Sequence, residues 1–181
     1  KLILGVFQLE QVSNGRVTKQ FCDQLLEHFT TTKAYKLYDD VINTLGYMKD
    51  ENIRIIVSSN SDPRIKLALE NLGLISYIDQ VYTSYDLGEQ KPHGAFFESI
   101  SRLEGNNPLV IHIGDERAKD AEAASNAGWV GIYVNRDKSS QERDQILKID
   151  EGKLLGNTIN SLTELKPLIA YIQQVWEFHQ K

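Results

Sequence analysis

The sequence predicts an α/β protein in which a parallel β-sheet carries helices on both faces. Short runs rich in β-branched residues alternate with longer segments whose apolar residues recur at helical spacing. These runs end at small or polar residues, as strands do when they lead into functional loops. With 181 residues, of which 41% are hydrophobic and 25% charged, the chain is long enough for one main globular domain and an appendage.

The N-terminal part is predicted to be helical. Apolar residues recur at helical spacing from Leu2 to Phe29, with a turn expected at 13–15, so a helical hairpin is the simplest interpretation. A further helix is expected after Asp39 or Asp40, either of which can cap it, and its apolar face includes Met48.

Four strands and three helices are then expected in alternation, the pattern of parallel βαβ units. The predicted strands are 53–57, 80–83, 109–113 and 130–134; the helices between them are one that Ser61 caps and Gly73 ends, then 94–103 and 116–127. The polar segment 135–156 is predicted to be a loop or excursion. A capping box at Ser161 and Glu164 introduces a final helix.

The charge pattern argues against several kinds of partner. The 20 basic residues are scattered and outnumbered by 25 acidic ones, giving a net charge of -5, so neither nucleic-acid nor anionic-membrane binding is expected. No apolar run approaches the roughly 20 residues that span a bilayer, and no signal-peptide pattern precedes the first helix. The single Cys22 fits a reducing compartment, so an intracellular location is expected, with cytoplasm and mitochondria both open.

The polar residues after the strand at 53–57 form the first candidate ligand site, because ligands of open α/β sheets bind at the carboxyl ends of the strands. Ser59 offers a hydroxyl and Asn60 an amide, directly before a helix N-terminus that favours anions. Together they could hold a phosphate. The alternative is that Ser59 or Ser61 only caps the following helix.

Two further strand ends carry charged groups. Lys91 precedes Pro92, which fixes the backbone, so its compact cation could meet a phosphoryl oxygen; the alternative is a solvated surface lysine. Asp115 and Asp120 follow the strand at 109–113, and two carboxylates there suit Mg²⁺. Alternatively, these acids only complement the dipole of a helix N-terminus. His112, inside the apolar run, is expected to be a hydrogen-bonded core histidine.

These motifs, in this order and with Asn126-Ala127-Gly128-Trp129 before the last strand, resemble the haloacid dehalogenase superfamily. The resemblance covers roughly 38–134 and is nearest to eukaryotic haloacid dehalogenase-like domain-containing hydrolases with a helical cap. It implies a Rossmann-like core at 38–181, preceded by a remnant of the cap at 1–37. It also implies a Mg²⁺-dependent phosphohydrolase that forms an aspartyl-phosphate and acts on a small phosphorylated substrate.

The resemblance also implies roles for single residues. Ser59, Asn60 and Lys91 would bind the phosphoryl group, with Ser59 and Lys91 taking part in catalysis; Asp115 would hold the metal, and Asp120 would support the metal or orient Lys91. One departure is the loop Lys91-Pro92-His93-Gly94, where the superfamily often has Lys-Pro-Asp-Pro. The cation itself is kept.

The larger departure is the first motif, Asp-x-Asp-x-Thr, whose first Asp is the nucleophile; no such sequence occurs here. The strand that carries it is central, between the strands ending near Ser59 and Ile113, so its absence should leave two half-sheets. Either the segment lies outside these 181 residues, or Leu2–Phe7 forms a replacement strand. The first explanation is favoured because Leu2–Phe7 continues a helical pattern.

Two other functions remain open at this stage. The missing motif is consistent with a catalytically inactive relative that serves as a binding or structural subunit of a larger assembly. A dehalogenating enzyme carries the same three motifs, and the motifs alone do not separate it from a phosphatase.

Overall fold

The structure is a computed structural model that describes residues 18–105, 109–137, 148–150, 153–155 and 158–179. The chain divides into two compact units, Lys1–Leu37 with Pro63–Ser76, and Tyr38–Asp62 with Tyr77–Lys181. The assignment of 1–37 as a cap remnant and 38–181 as the core stays a prediction. Across the described segments, no helix combines the length and apolarity needed to cross a bilayer.

In the first unit, helix α1 spans Lys19–His28 and helix α3 spans Ile65–Asn71. Thr18 caps α1 through a 3.1 Å bond that its Oγ1 accepts from the Phe21 N–H, and α1 buries the free thiol of Cys22. The second half of the expected hairpin is therefore helical. Its first half and the turn at 13–15 lie outside the described residues.

The second unit carries every strand of the described residues. Its elements are α2 (Val41–Asp50), β1 (Ile56–Ser59), β2 (Gln80–Thr83), α4 (Ser84–Leu87), α5 (Gly94–Leu103), β3 (Ile111–Gly114), a π-helical turn (Arg117–Glu122) continued by α6 (Ala123–Asn126), β4 (Val130–Val134), β5 (Lys148–Asp150), β6 (Lys153–Leu155), β7 (Thr158–Ile159) and α7 (Leu165–His179).

The described strands form two separate parallel sheets and one antiparallel pair. Strand β1 pairs with β2, and β3 pairs with β4, which pairs in turn with β7. Strands β5 and β6 form an antiparallel pair. Within the described part of the chain no ladder joins β1 to β3. The α/β class is confirmed, and the division into two parallel sheets is the arrangement expected if the central strand is missing.

Two apolar clusters surround these sheets. One contains Met48 of α2, Ile132 of β4 and Leu168 of α7; the other contains Tyr82 of β2, Phe97 of α5 and Ala124 of α6. Each fully buried aliphatic or aromatic side chain contributes about 1.5–3 kcal/mol. Because helices from different parts of the unit supply the two clusters, the sheets are covered on both sides.

Strand β1 starts later than its apolar run predicted, at Ile56 instead of residue 53, and continues through Ser59. The N–H groups of Ile53 and Ile55 bond outside the ladder, to the Met48 carbonyl at 2.9 Å and to Asp79 Oδ2 at 2.7 Å. Ladder pairing begins at Ile56, opposite Gln80. Similarly, β3 begins at Ile111 instead of residue 109 and includes Gly114.

The cap predicted at Ser61 is wrong. Arg64 occupies the N-cap position of α3, and the Ser61 carbonyl instead accepts hydrogen bonds from the Tyr85 N–H and the Ser84 hydroxyl, each at 3.2 Å. The Ser61 hydroxyl is buried, with no partner in the described structure. These contacts join the loop after β1 to the start of α4, a helix the sequence did not suggest.

The last third of the chain also differs in part from the prediction. The segment 135–156, predicted to be a loop or excursion, contains β5 and β6, and the charged stretch 139–144 lies outside the described residues. The capping box is confirmed: Ser161 Oγ accepts from the Thr163 N–H, and Glu164 Oε1 accepts from the Ser161 N–H at 2.9 Å. Helix α7 follows.

Asp40 ties three distant parts of the second unit together. Its carboxylate accepts two hydrogen bonds from Arg136, at 2.9 and 3.0 Å, one from the Ser161 hydroxyl at 2.7 Å and one from the Leu162 N–H at 2.9 Å. Asp40 occupies the N-cap position of α2, one of the two predicted for it, but its side chain makes no cap bond to the helix. Burial alone would raise the pKa of Asp40, but bonds from Arg136, Ser161 and Leu162 lower it to about 2.

Replacing Asp40 with Asn should lower the free energy of unfolding by about 2 kcal/mol, because charge-assisted hydrogen bonds are lost at a partly buried site. Since the folded pKa is depressed to about 2 from 3.8, this contribution should be present above pH 3.8 and disappear as the pH falls toward 2. Denaturant unfolding across pH is the measurement. Asp39→Asn, at the exposed neighbour, is the matched control; equal losses in both variants would contradict the role given to Asp40.

Candidate functional site at the strand ends

The loop after β1 is fastened to the segment that carries Lys91. Ser59 ends β1, paired with Thr83, and is half-buried. The side chain of the next residue, Asn60, brackets the backbone of Lys91: Nδ2 donates to the Lys91 carbonyl and Oδ1 accepts from the Lys91 N–H, both at 2.8 Å. The peptide bond between Lys91 and Pro92 is cis. Asn60 therefore fixes where the lysine leaves the backbone.

Lys91 is not a solvated surface lysine. Its side chain is 11% exposed, and its Nζ lies 2.6 Å from Asp120 Oδ1 and 3.3 Å from the Ser58 carbonyl oxygen. The first contact belongs to the segment after β3 and the second to β1. The ammonium thus links the two parallel sheets at their carboxyl ends.

Asp120 is buried and fully engaged. Besides Lys91, its Oδ1 lies 3.0 Å from His112 Nε2, and its Oδ2 accepts from the Glu116 N–H at 3.0 Å. Burial alone would raise the pKa of Asp120, but the bonds from His112, Lys91 and the Glu116 N–H hold it well below the ordinary value. Asp120 is therefore ionised opposite the lysine cation.

Two glycines let the helical segment approach the strands this closely. A Cβ at Gly114 would overlap the Asp120 side chain, and a Cβ at Gly131 would overlap the Ala121 carbonyl oxygen. The segment Arg117–Glu122 is π-helical, whereas a regular helix was predicted over 116–127. Gly131, inside a strand, was the sequence signal for this close approach.

Asp115 has a different environment. It directly follows β3, is exposed, and borders a cavity of about 390 Å³. The other lining residues are Tyr38, Ile113, Gly114, Tyr133, Val134, Asn135, Arg136 and Leu162. Over the described ranges, no group of three or more His, Cys, Asp or Glu side chains could hold a metal ion. A cation at this position would be coordinated by Asp115, by water and by a bound substrate.

The structure brings three of the five predicted site residues into contact, and it places the other two at the strand ends nearby. Lys91 and Asp120 are in direct contact, and Asn60 joins them through the Lys91 backbone. Ser59 lies beside Asn60 at the end of β1, and Asp115 lies at the end of β3. Sequence reasoning missed that Asn60 holds the lysine, because one amide side chain gives no sign of which backbone it will bracket.

The sequence model of the haloacid dehalogenase-like hydrolase family matches residues 4–128 of this chain. The chain belongs to this family.

Curated relatives agree with this assignment. Haloacid dehalogenase-like hydrolase domain-containing protein 3 of Homo sapiens is 29% identical over 134 residues, covering 74% of this chain and 53% of that protein. Ribulose-1,5-bisphosphate 5-phosphatase of Halopiger xanaduensis is 26% identical over 136 residues, covering 74% and 57%. The chain spans between 53% and 60% of the length of the curated relatives it matches first.

Solved structures with the same fold include enzymes of two activities. A haloacid dehalogenase-type phosphatase from Thermococcus onnurineus gives a TM-score of 0.68 at 23% identity, covering 93% of this chain and 69% of that one. L-2-haloacid dehalogenase from Xanthobacter autotrophicus also gives 0.68, at 18% identity, covering 93% and 71%. At these identities the likeness concerns the fold alone.

Removing either partner of the Lys91–Asp120 pair should destabilise the protein strongly. Asp120→Ala leaves a buried ammonium without its partner, and Lys91→Met leaves a buried carboxylate, so each should cost about 3 kcal/mol. The double variant should cost clearly less than the sum. Denaturant unfolding of all four proteins measures the coupling.

The exposed pair Lys119–Glu116, with its 2.6 Å contact, supplies the matched control cycle. Its coupling should stay below about 1 kcal/mol, as for other surface pairs. Strictly additive effects at Lys91 and Asp120 would show that the two residues are not energetically coupled.

Proposed function

We propose that the intact protein is a Mg²⁺-dependent phosphohydrolase that acts on a small phosphorylated substrate through an aspartyl-phosphate. One observation carries the proposal: the Lys91 ammonium is anchored to Asp120 at 2.6 Å, at the carboxyl ends of β1 and β3. Ligands of open α/β sheets bind at these ends. Family membership supports a hydrolase, and the phosphoryl chemistry is the proposal.

Lys91 has a donor left for a substrate. An ammonium has three N–H groups, and the described contacts occupy two of them, with Asp120 Oδ1 and the Ser58 carbonyl. The third can donate to a phosphoryl oxygen and offset the charge that develops during in-line attack. Ionised Asp120 holds the Lys91 ammonium in place through the 2.6 Å contact.

Ser59 is proposed to donate its hydroxyl to the same phosphoryl group, from the end of β1. The phosphate contact predicted for Asn60 stays a prediction: one Nδ2 hydrogen donates to the Lys91 carbonyl, and the amide carries a second. We propose that Asn60 also supports phosphate binding by fixing the backbone of Lys91.

The donor set at Asp115 fits Mg²⁺, which binds through one or two carboxylates plus substrate phosphate and keeps several waters. Asp115 offers an exposed carboxylate, whereas the oxygens of Asp120 already accept three hydrogen bonds. We propose that Asp115 holds the metal and that Asp120 orients Lys91. When bound, the metal supplies further positive charge for the phosphoryl oxygens.

The attacking carboxylate is proposed to come from a segment outside these residues, because the sequence contains no Asp-x-Asp. The same observation is consistent with the alternative, a catalytically inactive relative that serves as a binding or structural subunit. The Halopiger relative is named a phosphatase of a sugar bisphosphate, so sugar phosphates are sensible probes.

The natural full-length protein should release inorganic phosphate from p-nitrophenyl phosphate or a sugar phosphate in the presence of Mg²⁺. Chelation should abolish the release, and Asp115→Asn should lower it about a hundredfold or more, since one electrostatic contact to the reacting group typically contributes that much. Glu122→Gln, at an exposed carboxylate on the same helical segment, is the control and should be as active as the wild type.

The outcomes separate the functions. Phosphate release that survives both chelation and Asp115→Asn would contradict the metal role of Asp115. Halide release from 2-chloropropionate without phosphatase activity would make the protein a dehalogenase. A folded full-length protein with neither activity would favour the inactive subunit.

A further inference from the structure

His112 shares an acceptor oxygen with Lys91. Its ring is buried within β3, and Nε2 lies 3.0 Å from Asp120 Oδ1, the oxygen that lies 2.6 Å from Lys91 Nζ. An ionised carboxylate only accepts hydrogen bonds, so in this contact Nε2 carries the proton. The two donors therefore converge on one oxygen, and Oδ2 is left to the Glu116 N–H.

The imidazole is held by aromatic rings. Phe97 meets it edge-on at 5.4 Å between ring centroids, and Trp129 lies at 6.3 Å. Phe97 and Trp129 also pack edge-on against each other at 5.2 Å, and the Trp129 Nε1–H donates to Ser101 Oγ at 3.0 Å. Because the rings fix the imidazole, the direction of its N–H is fixed as well.

An apolar residue would be the ordinary occupant of such a place. The neighbours Ile111 and Ile113 pack against one apolar cluster, while Phe97 belongs to the other and Trp129 packs against that one. Burying an imidazole there is unfavourable unless its polar atoms are bonded. The described hydrogen bond that offsets the burial of the His112 imidazole is the one to Asp120. The histidine therefore acts on the carboxylate that holds the Lys91 ammonium.

We infer that His112 is a positioning residue: it fixes the rotation of the Asp120 carboxylate so that Oδ1 faces Lys91 and holds its ammonium at the strand ends. The inference rests on the proposed role of Lys91 toward a phosphoryl group. The Lys91–Asp120 contact itself is observed independently of that role.

Two variants of similar size separate positioning from packing. His112→Leu fills the aromatic site but has no donor, whereas His112→Gln places an amide N–H at nearly the reach of imidazole Nε2. The measurement, made on the natural full-length protein, is the rate of reductive methylation of Lys91, followed by peptide mass spectrometry. Only a deprotonated and accessible amine reacts, so the rate reports how firmly Asp120 holds the ammonium. The exposed Lys119, paired with Glu116, is the internal reference.

We expect His112→Leu to raise the methylation rate of Lys91 roughly tenfold, the effect of losing one hydrogen bond to a charged group. His112→Gln should restore a rate near that of the wild type, and Lys119 should react equally in all three proteins. If phosphate release is measurable, it should fall in His112→Leu and recover in His112→Gln.

Other results would overturn the inference. Unchanged Lys91 reactivity in a folded His112→Leu protein would show that His112 only fills space. Equal acceleration of Lys91 and Lys119 would show a general loss of structure, and failure of Gln to rescue Lys91 would show that a hydrogen-bond donor at position 112 does not hold Asp120. Wild-type protein without phosphatase activity would remove the proposed function, while the methylation rates would still decide whether His112 positions Lys91.

Discussion

The contact between Lys91 and Asp120 is the interaction on which the described site depends. The sheet β1–β2 and the sheet β3–β4–β7 share no ladder among the described strands, yet the Lys91 ammonium touches the Ser58 carbonyl of the first sheet and the carboxylate that follows β3. A buried ion pair gains stability only when its remaining donors and acceptors are bonded. Bonds from His112 and from the Glu116 N–H satisfy that condition for Asp120.

The backbone makes this contact possible before any charge is considered. The helical segment lies so close to β3 and β4 that side chains at positions 114 and 131 would collide with it, and both positions are glycine. From the opposite side, the Asn60 amide sets the start of the lysine side chain. Gly114, Gly131 and the Asn60 amide therefore set how closely the Lys91 ammonium and the Asp120 carboxylate approach each other. Each does so by positioning the backbone, without contributing a charge.

The elements whose bounds were predicted correctly are those in which the apolar pattern of the sequence and the hydrogen-bonded backbone begin and end at the same residues. Strands 80–83 and 130–134 and helix 94–103 have the expected bounds, because their apolar runs coincide with their hydrogen-bonded spans. The predicted start of β1 was wrong because N–H groups in the apolar run bond outside the ladder, as that of Ile55 does to Asp79. A run of apolar residues indicates burial and does not show which group each backbone N–H will bond. The residue pattern placed Lys91 and Asp120 at one end of the sheet, and the contact between them was one of the two alternatives that the family resemblance implied for Asp120.

The two carboxylates after β3 lie in different environments, although by residue type alone both suit Mg²⁺. Asp115 lies at the strand end, exposed beside a cavity, and can accept a new ligand without losing a protein contact described here. Asp120 lies against Gly114, buried, with three hydrogen bonds and a depressed pKa, so any new ligand would have to displace one of them. The first carboxylate is thus suited to exchange with solvent and ligand, and the second to permanent support. A site that must bind and release a charged group needs both, because the support has to stay fixed while the ligand comes and goes.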